Sequence, residues 1–249
     1  MSDRFSQRQL GSAFCTTPRV FWPFKMRLDD VVLVRCVFDR TRYDDKKFAE
    51  FAIPPIDNFS RTAIKRRAEF LAGRLCAMSA LRLSGYQAIA PAVGKNREPI
   101  WGPGVVGSIT HTEIVAGAIV AASARYLGIG IDCEALVDDA VRENLLDDIL
   151  TAHERVLYEK LPHDHRAQFF TVAFSAKESL FKALFNTVGF YFDFRDAEII
   201  EYEIAGENVR LQLVKTLTSR FSKGTAFSGF YCRIANHVVT LIAIENKEE

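Results

Sequence analysis

Leu127-Gly-Ile-Gly-Ile-Asp-Cys-Glu134 is the stretch around which the rest of the chain falls into place. Read as a strand, its side chains alternate with period two, so Asp132 and Glu134 share one face while Ile129, Ile131 and Cys133 share the other. The expectation is an apolar face in the core and an acidic face that forms a site. At a rise of ~3.3 Å per residue the two carboxylates start about 7 Å apart at Cα, near enough to converge on one hard cation, and oxygen ligands suit Mg²⁺ better than zinc. A strand end turning into solvent carries the same spacing, so the pattern alone leaves both readings open.

The 249 residues are 49% apolar, enough to bury a substantial core as one large domain or two of ordinary size. With 32 basic and 31 acidic side chains the formal charge is +1, which gives no global reason to bind nucleic acid or an anionic membrane. Any anion site must therefore be a local cluster. Cys15, Cys36, Cys76, Cys133 and Cys232 are odd in number, widely spread and free of any C-x-x-C, which fits reduced thiols in a cytosol better than disulfides or a zinc site. The polar amino terminus lacks a signal-peptide core, and the longest apolar run, Ile114 to Ala122, is far short of the ~20 residues a membrane span needs. A soluble, cytoplasmic protein is expected.

Residues 1 to 30 show no clear period and read as a surface segment anchored by Phe21, Trp22 and Phe24. Val31 to Phe38 is β-branched and reads as a buried strand. Pro54-Pro55 marks a loop, and Ser60 is placed to N-cap a helix running from Arg61 to about Leu83, whose stripe is Ile64, Ala68, Leu71, Leu75 and Met78. Arg67 and Arg74 border that stripe and Arg66 lies further round with Lys65, an arrangement that serves either a solvated basic face or the wall of an anion pocket. Gly102, Gly104 and Gly107 spell G-x-G-x-x-G, but Pro99 and Pro103 break the approach and Ser108-Ile-Thr-His111 opens no recognisable helix, so a dinucleotide site is disfavoured. Ile114 to Ala124 suits helix and strand equally.

Beyond the acidic strand, Asp138 to Leu150 reads as a helix, and Thr151-Ala-His-Glu154 opens another with a capping box that Pro162 ends. Arg166 to Phe185 is the second long helix, with Phe169, Val172, Ala173, Leu180 and Leu184 inward and Glu178 four residues before Lys182, side by side on its surface. His163 and His165 fall in a polar loop and are taken as exposed. Glu198 to Ile204, Val209 to Val214, Gly229 to Ile234 and Val238 to Ile244 read as strands closing a sheet. There is no P-loop, no G-x-S-x-G and no H-E-x-x-H.

Gly107-Ser-Ile-Thr-His111, Gly128-Ile-Gly-Ile-Asp-Cys-Glu134 and Phe174-Ser-Ala-Lys-Glu-Ser-Leu-Phe-Lys182, in this order and spacing, resemble the 4'-phosphopantetheinyl transferases of the Sfp and EntD type. Upstream, Arg66 to Arg74 looks like that family's first helix and Lys95-Asn-Arg-Glu-Pro-Ile-Trp101 like the loop before the histidine. The likeness spans roughly residues 60 to 200 and is greatest to the branch serving enterobactin and similar siderophores. Phe174 departs from it, standing where many members have tryptophan, and keeps an aromatic wall.

The resemblance implies an α+β fold: a pseudo-symmetric pair of subdomains, each a small sheet packed on a long helix, with the active site in the cleft between them. Residues 1–124 would take the 3'-phosphate and adenine end of coenzyme A, and residues 125–249 the Mg²⁺, the pyrophosphate and the docked carrier. It implies a monomer with an internal pseudo-two-fold. The reaction it implies moves the phosphopantetheine arm of coenzyme A to a serine of an apo acyl, peptidyl or aryl carrier protein. By likeness Asp132, Glu134 and Glu178 hold Mg²⁺ (or Mn²⁺), Glu178 is also the base, directly or through a bound water, and Lys182 with Lys177 neutralises the pyrophosphate. Arg66, Arg74, Lys95 and His111 bind the 3'-phosphate and adenine end, with the backbone around Ser108 to Thr110 assisting. A catalytically silent coenzyme A or carrier-binding module is the alternative; it would keep the cations and lose the three carboxylates, all of which are present.

Overall fold

The computed structural model describes residues 13–203 and 207–246. Backbone contacts part the chain into two units, Met1–Trp22 with Arg27–Arg125, and Pro23–Met26 with Tyr126–Glu249.

In the first unit, β1 (Arg19–Val20) and β2 (Val31–Val37) precede a single turn of helix, α1 (Lys47–Glu50), and the long α2 (Ile64–Leu83). A short hairpin of β3 (Ala92–Val93) and β4 (Pro99–Ile100) leads into β5 (Val105–His111) and β6 (Val115–Ala122). The sheet is antiparallel in the order β1-β2-β6-β5. The segment that suited helix and strand equally is thus a central strand. Its alanines are explained by position, because Ala116 and Ala118 lie in the core under α2 with no exposure.

Two local expectations need correction here, and a third, the lack of a dinucleotide context, holds. Ser60 caps nothing: the chain first makes a 3-10 turn at Phe59–Arg61, and the N-cap of α2 is Ala63. Ile64, at that first turn, is 59% exposed, while Arg74 is only 6% exposed. α2 packs through small residues, Ala68, Ala72, Gly73, Ala77 and Ala80, and a Cβ on Gly73 would stand 2.8 Å from Ile109 Cγ2. The G-x-G-x-x-G glycines precede and enter β5, with Gly104 in the left-handed region at φ +77°; a strand follows them, so the dinucleotide context is missing.

The second unit runs β7 (Tyr126–Ala135), α3 (Asp139–Ile149), α4 (Ala152–Lys160), α5 (His163–Val188), β8 (Ala197–Tyr202), β9 (Asn208–Leu213), β10 (Ala226–Ile234) and β11 (His237–Glu245). Its antiparallel sheet has the order β7-β11-β10-β9-β8. Asp138 caps α3, and α4 carries the capping box read from Thr151 and Glu154. The expected strand to Ile204 is seen to Tyr202, and Ile204 lies outside the described residues. His163 belongs to the first turn of α5 and not to a loop, with its side chain 77% exposed.

Of the anchors expected before residue 30, Phe24 is buried and belongs to the second unit, its ring 6.0 Å from that of Phe230. All five cysteines carry free thiols. No helix among the described residues is long and apolar enough to cross a membrane.

Both faces of β7 are covered. Ile129, Ile131 and Cys133 are buried as expected, but Gly128, Gly130 and Asp132 lie under α5. A Cβ on Gly130 would sit 1.8 Å from Ser179 O, and one on Gly128 1.9 Å from Ala183 O. The glycines therefore let the helix backbone lie directly on the strand, and this close approach brings Glu178 and Lys182 of α5 to Asp132 and Glu134 of β7.

Candidate active site

In the second unit, Lys182 Nζ donates to Asp132 Oδ1 at 2.7 Å and to the Ile131 carbonyl at 3.3 Å. Asp132 Oδ2 accepts from Ser175 Oγ at 2.8 Å. Burial, and then the neighbouring Asp132 carboxylate, push Glu134 up to about 7, with Lys182 working against them and Glu178 adding to them. Glu178 is likewise raised by burial and by Asp132 against the pull of Lys182. Burial disfavours the Lys182 ammonium, yet Asp132 and Glu178 hold its pKa above the ordinary lysine value. Asp132, Glu134, Glu178 and Lys182 thus form one electrostatic cluster in which like charges crowd around a single ammonium.

Such a donor set, oxygen throughout and short of positive charge, has the chemistry of a hard divalent-ion site. As the side chains stand, however, no three His, Cys, Asp or Glu groups among the described residues are placed to hold one ion. Lys182 takes the Asp132 oxygen that a cation would need. By donor chemistry alone, three carboxylates short of positive charge suit a hard divalent ion.

Lys177 does not join this cluster, contrary to its expected place beside Lys182 on a pyrophosphate. Its Nζ is buried and donates to Glu154 Oε2 at 2.6 Å and to the Ile149 carbonyl at 2.7 Å. Glu154 Oε1 accepts the Ile199 N–H at 2.8 Å and its Oε2 the Thr151 N–H, so the pair ties α5 to the start of α4 and to β8. The physical reason is helical: at 100° per residue Lys177 lies 140° round the helix from Lys182. Phe174 packs its ring 5.2 Å from that of Phe194.

The first unit gathers a cationic group. Arg66 Nη1 meets His111 Nε2 at 2.8 Å. Because guanidinium only donates, Nε2 accepts and the proton of a neutral ring sits on Nδ1, which faces Glu69 Oε2 at 3.7 Å. Arg66 is itself 4.0 Å from Glu69. Burial raises the Glu69 pKa while Lys65, Arg66 and Arg40 draw it down. Two turns along, the Arg74 guanidinium lies over the Phe70 ring at 4.4 Å, and its buried Nε has no hydrogen-bond partner among the described residues. Burial, and then the charge of Arg66, push Arg74 down to about 10.

Lys95 is exposed at the tip of the β3–β4 hairpin, which Gly94 closes by accepting from Arg97 N and donating to the Glu98 carbonyl. Ser108 and Thr110 are buried in β5, and by period two they lie on the face opposite His111 and Ile109, the latter packed on Gly73 of α2. Arg66 and His111 therefore meet where the start of α2 lies beside the end of β5, Arg74 stands two turns further along α2, and the Ser108 and Thr110 side chains take the other face of β5. Glu69 joins Arg66 and His111 without having been singled out from the sequence; its i,i+3 spacing from Arg66 was the available signal.

Each unit, described by itself, has its own sequence match. Residues 56–121 match the 4'-phosphopantetheinyl transferase N-terminal domain and residues 128–241 the 4'-phosphopantetheinyl transferase superfamily. The chain belongs to the 4'-phosphopantetheinyl transferases. It is 31% identical over 193 residues to enterobactin synthase component D of Salmonella typhi, covering 77% of each chain. To the Escherichia coli K12 protein of that name it is 33% identical over 185 residues, 72% of this chain and 82% of the relative. A Mycobacterium tuberculosis relative, 4'-phosphopantetheinyl transferase PptT, is 32% identical over 178 residues, 67% of this chain and 76% of that one.

Proposed function

We propose that this chain moves the 4'-phosphopantetheine arm of coenzyme A onto the serine of an apo carrier protein, leaving adenosine 3',5'-bisphosphate. The carriers are those of siderophore or other nonribosomal peptide synthesis, a reading supported by the relatives named enterobactin synthase component D. The observation that carries the proposal is the cluster of Asp132, Glu134 and Glu178 around the Lys182 ammonium.

In this reading Asp132, Glu134 and Glu178 hold a Mg²⁺ ion, or Mn²⁺, which when bound supplies positive charge to the pyrophosphate. Lys182 exchanges Asp132 for a pyrophosphate oxygen, since a substrate anion is the partner that can draw its ammonium away. The serine oxygen forms a bond to the phosphorus that bears the pantetheine arm, and the bond from that phosphorus to the bridging oxygen breaks. The leaving bisphosphate keeps the electron pair, and the serine proton goes to Glu178. Arg74, with an unmet buried donor, and Arg66 with His111 receive the 3'-phosphate. Lys95 adds charge from its hairpin.

The test is incubation with coenzyme A, Mg²⁺ and a panel of apo carriers from fatty-acid, polyketide and nonribosomal-peptide systems, read by intact mass. Gain of one phosphopantetheine on the carrier serine is expected, fastest on the nonribosomal-peptide carriers. No gain on any carrier would contradict the reading.

A further inference from the structure

Behind Asp132 runs a row of three hydroxyls with no exposure at all: Ser175, Thr240 and Ser179. Ser175 Oγ is 2.8 Å from Asp132 Oδ2, Thr240 Oγ1 is 2.9 Å from Ser175 Oγ, and Ser179 Oγ is 2.7 Å from Thr240 Oγ1. The placement follows from the fold. Thr240 of β11 is the direct ladder partner of Asp132, and Ser175 and Ser179, one helical turn apart on α5, straddle it.

Each hydroxyl has a single proton, which fixes the direction of the row. The Asp132 carboxylate, ion-paired to Lys182, only accepts, so Ser175 donates to it. Thr240 must then donate to Ser175, and Ser179 to Thr240, with the Thr240 carbonyl at 3.2 Å a second, longer contact for Ser179. All three dipoles point the same way, toward Oδ2, and bonds in such a row strengthen one another. One oxygen of Asp132 is consequently held from behind, and the other, Oδ1, is turned to Lys182.

We infer that Ser179, Thr240 and Ser175 are positioning residues that fix the Asp132 carboxylate with Oδ1 presented to the cation, whether the Lys182 ammonium or the divalent ion. This rests on the metal role given to Asp132 above. Groups that orient a metal-ligating carboxylate typically govern metal affinity by ~10–100-fold when removed. Thr240 is the informative position, because its hydroxyl bonds to Ser175 and Ser179 and valine replaces that hydroxyl with a methyl of nearly the same volume.

The experiment is a Mn²⁺ titration followed by electron paramagnetic resonance on the full chain, with coenzyme A present, for wild type, Thr240→Val, Thr240→Ser and Ser175→Ala. Thr240→Val and Ser175→Ala should weaken Mn²⁺ by ~10-fold or more, and Thr240→Ser, which restores the donor, should bind within a few-fold of wild type. If Thr240→Val and Ser175→Ala bind as wild type does, or if Thr240→Ser is as weak as Thr240→Val, the positioning role is overturned. Absence of Mn²⁺ binding by wild type would overturn the metal role itself, and the inference with it. Should Thr240→Val fail to fold, Ser175→Ala against Thr240→Ser decides alone.

Discussion

Lys177 and Lys182 stand on one helix, yet Lys177 Nζ is buried on Glu154 at 2.6 Å while Lys182 Nζ is on Asp132 at 2.7 Å. The first pair is sealed in the interior, where removing one partner leaves the other an uncompensated charge. The second faces the carboxylate cluster and keeps a quarter of its lysine side chain exposed.

Lys177→Met should therefore act on folding before chemistry. Breaking a buried pair costs about 3–5 kcal/mol, a fall in Tm on the order of 10 °C for a chain of this size. The double variant with Glu154→Gln should recover part of that loss. Thermal unfolding of wild type and the two variants checks it; an unchanged Tm with a collapsed rate would return Lys177 to the pyrophosphate.

Stability of the metal-free protein should carry the mark of Glu134. Its pKa in the fold is about 7, above the ordinary 4.5, so the folded state holds this proton through the window between the two values. A group that binds its proton more tightly when folded contributes stability that is full below 4.5 and lost as pH rises through 7. Wild type should thus lose stability relative to Glu134→Gln between pH 5 and 8, as denaturant titrations would read. Stabilisation by added Mg²⁺, which needs the ionised carboxylate, should grow over the same interval. Parallel pH profiles for the two proteins would remove Glu134 from the cluster.

Arg74→Ala should raise the KM for coenzyme A much more than for 3'-dephospho-coenzyme A. A hydrogen bond to a charged partner contributes about 1.5–3 kcal/mol, or roughly 10–100-fold. Steady-state kinetics on both substrates decides it, and equal penalties would place the 3'-phosphate elsewhere.

The Gly130 contact makes a structural prediction. Gly130→Ala forces a methyl onto the Ser179 carbonyl and should cost at least the ~1–3 kcal/mol of ordinary overpacking. Gly102→Ala, where a Cβ meets nothing within 4 Å, should lie within about 0.5 kcal/mol of wild type. Equal stabilities would mean that α5 does not lie against β7 as closely as described.

Much of this was legible in the sequence because the signals were local. The capping box of Thr151 and Glu154 and the inward set Phe169, Val172, Ala173, Leu180 and Leu184 stand as read. What the sequence could not disclose depends on partners distant along the chain. Lys177 looks like a second active-site cation until Glu154, 23 residues away, is seen to take it. Thr240 acquires meaning only from the ladder that sets it opposite Asp132. Ile114 to Ala124 was undecided because alanine suits both a helix and a strand buried on two faces. Ser108 and Thr110 carry the motif, and strand alternation turns their side chains, not the backbone expected to assist, away from His111.

The most direct test of the central claim is a single-turnover assay of wild type and Asp132→Ala with coenzyme A, Mg²⁺ and an apo carrier, following adenosine 3',5'-bisphosphate release and carrier mass together. Wild type should release one bisphosphate per arm transferred and stop on addition of EDTA, and a folded Asp132→Ala protein should be slower by several kcal/mol of barrier, ~10³-fold or more. Transfer at the wild-type rate by Asp132→Ala, or in excess EDTA, would contradict the account.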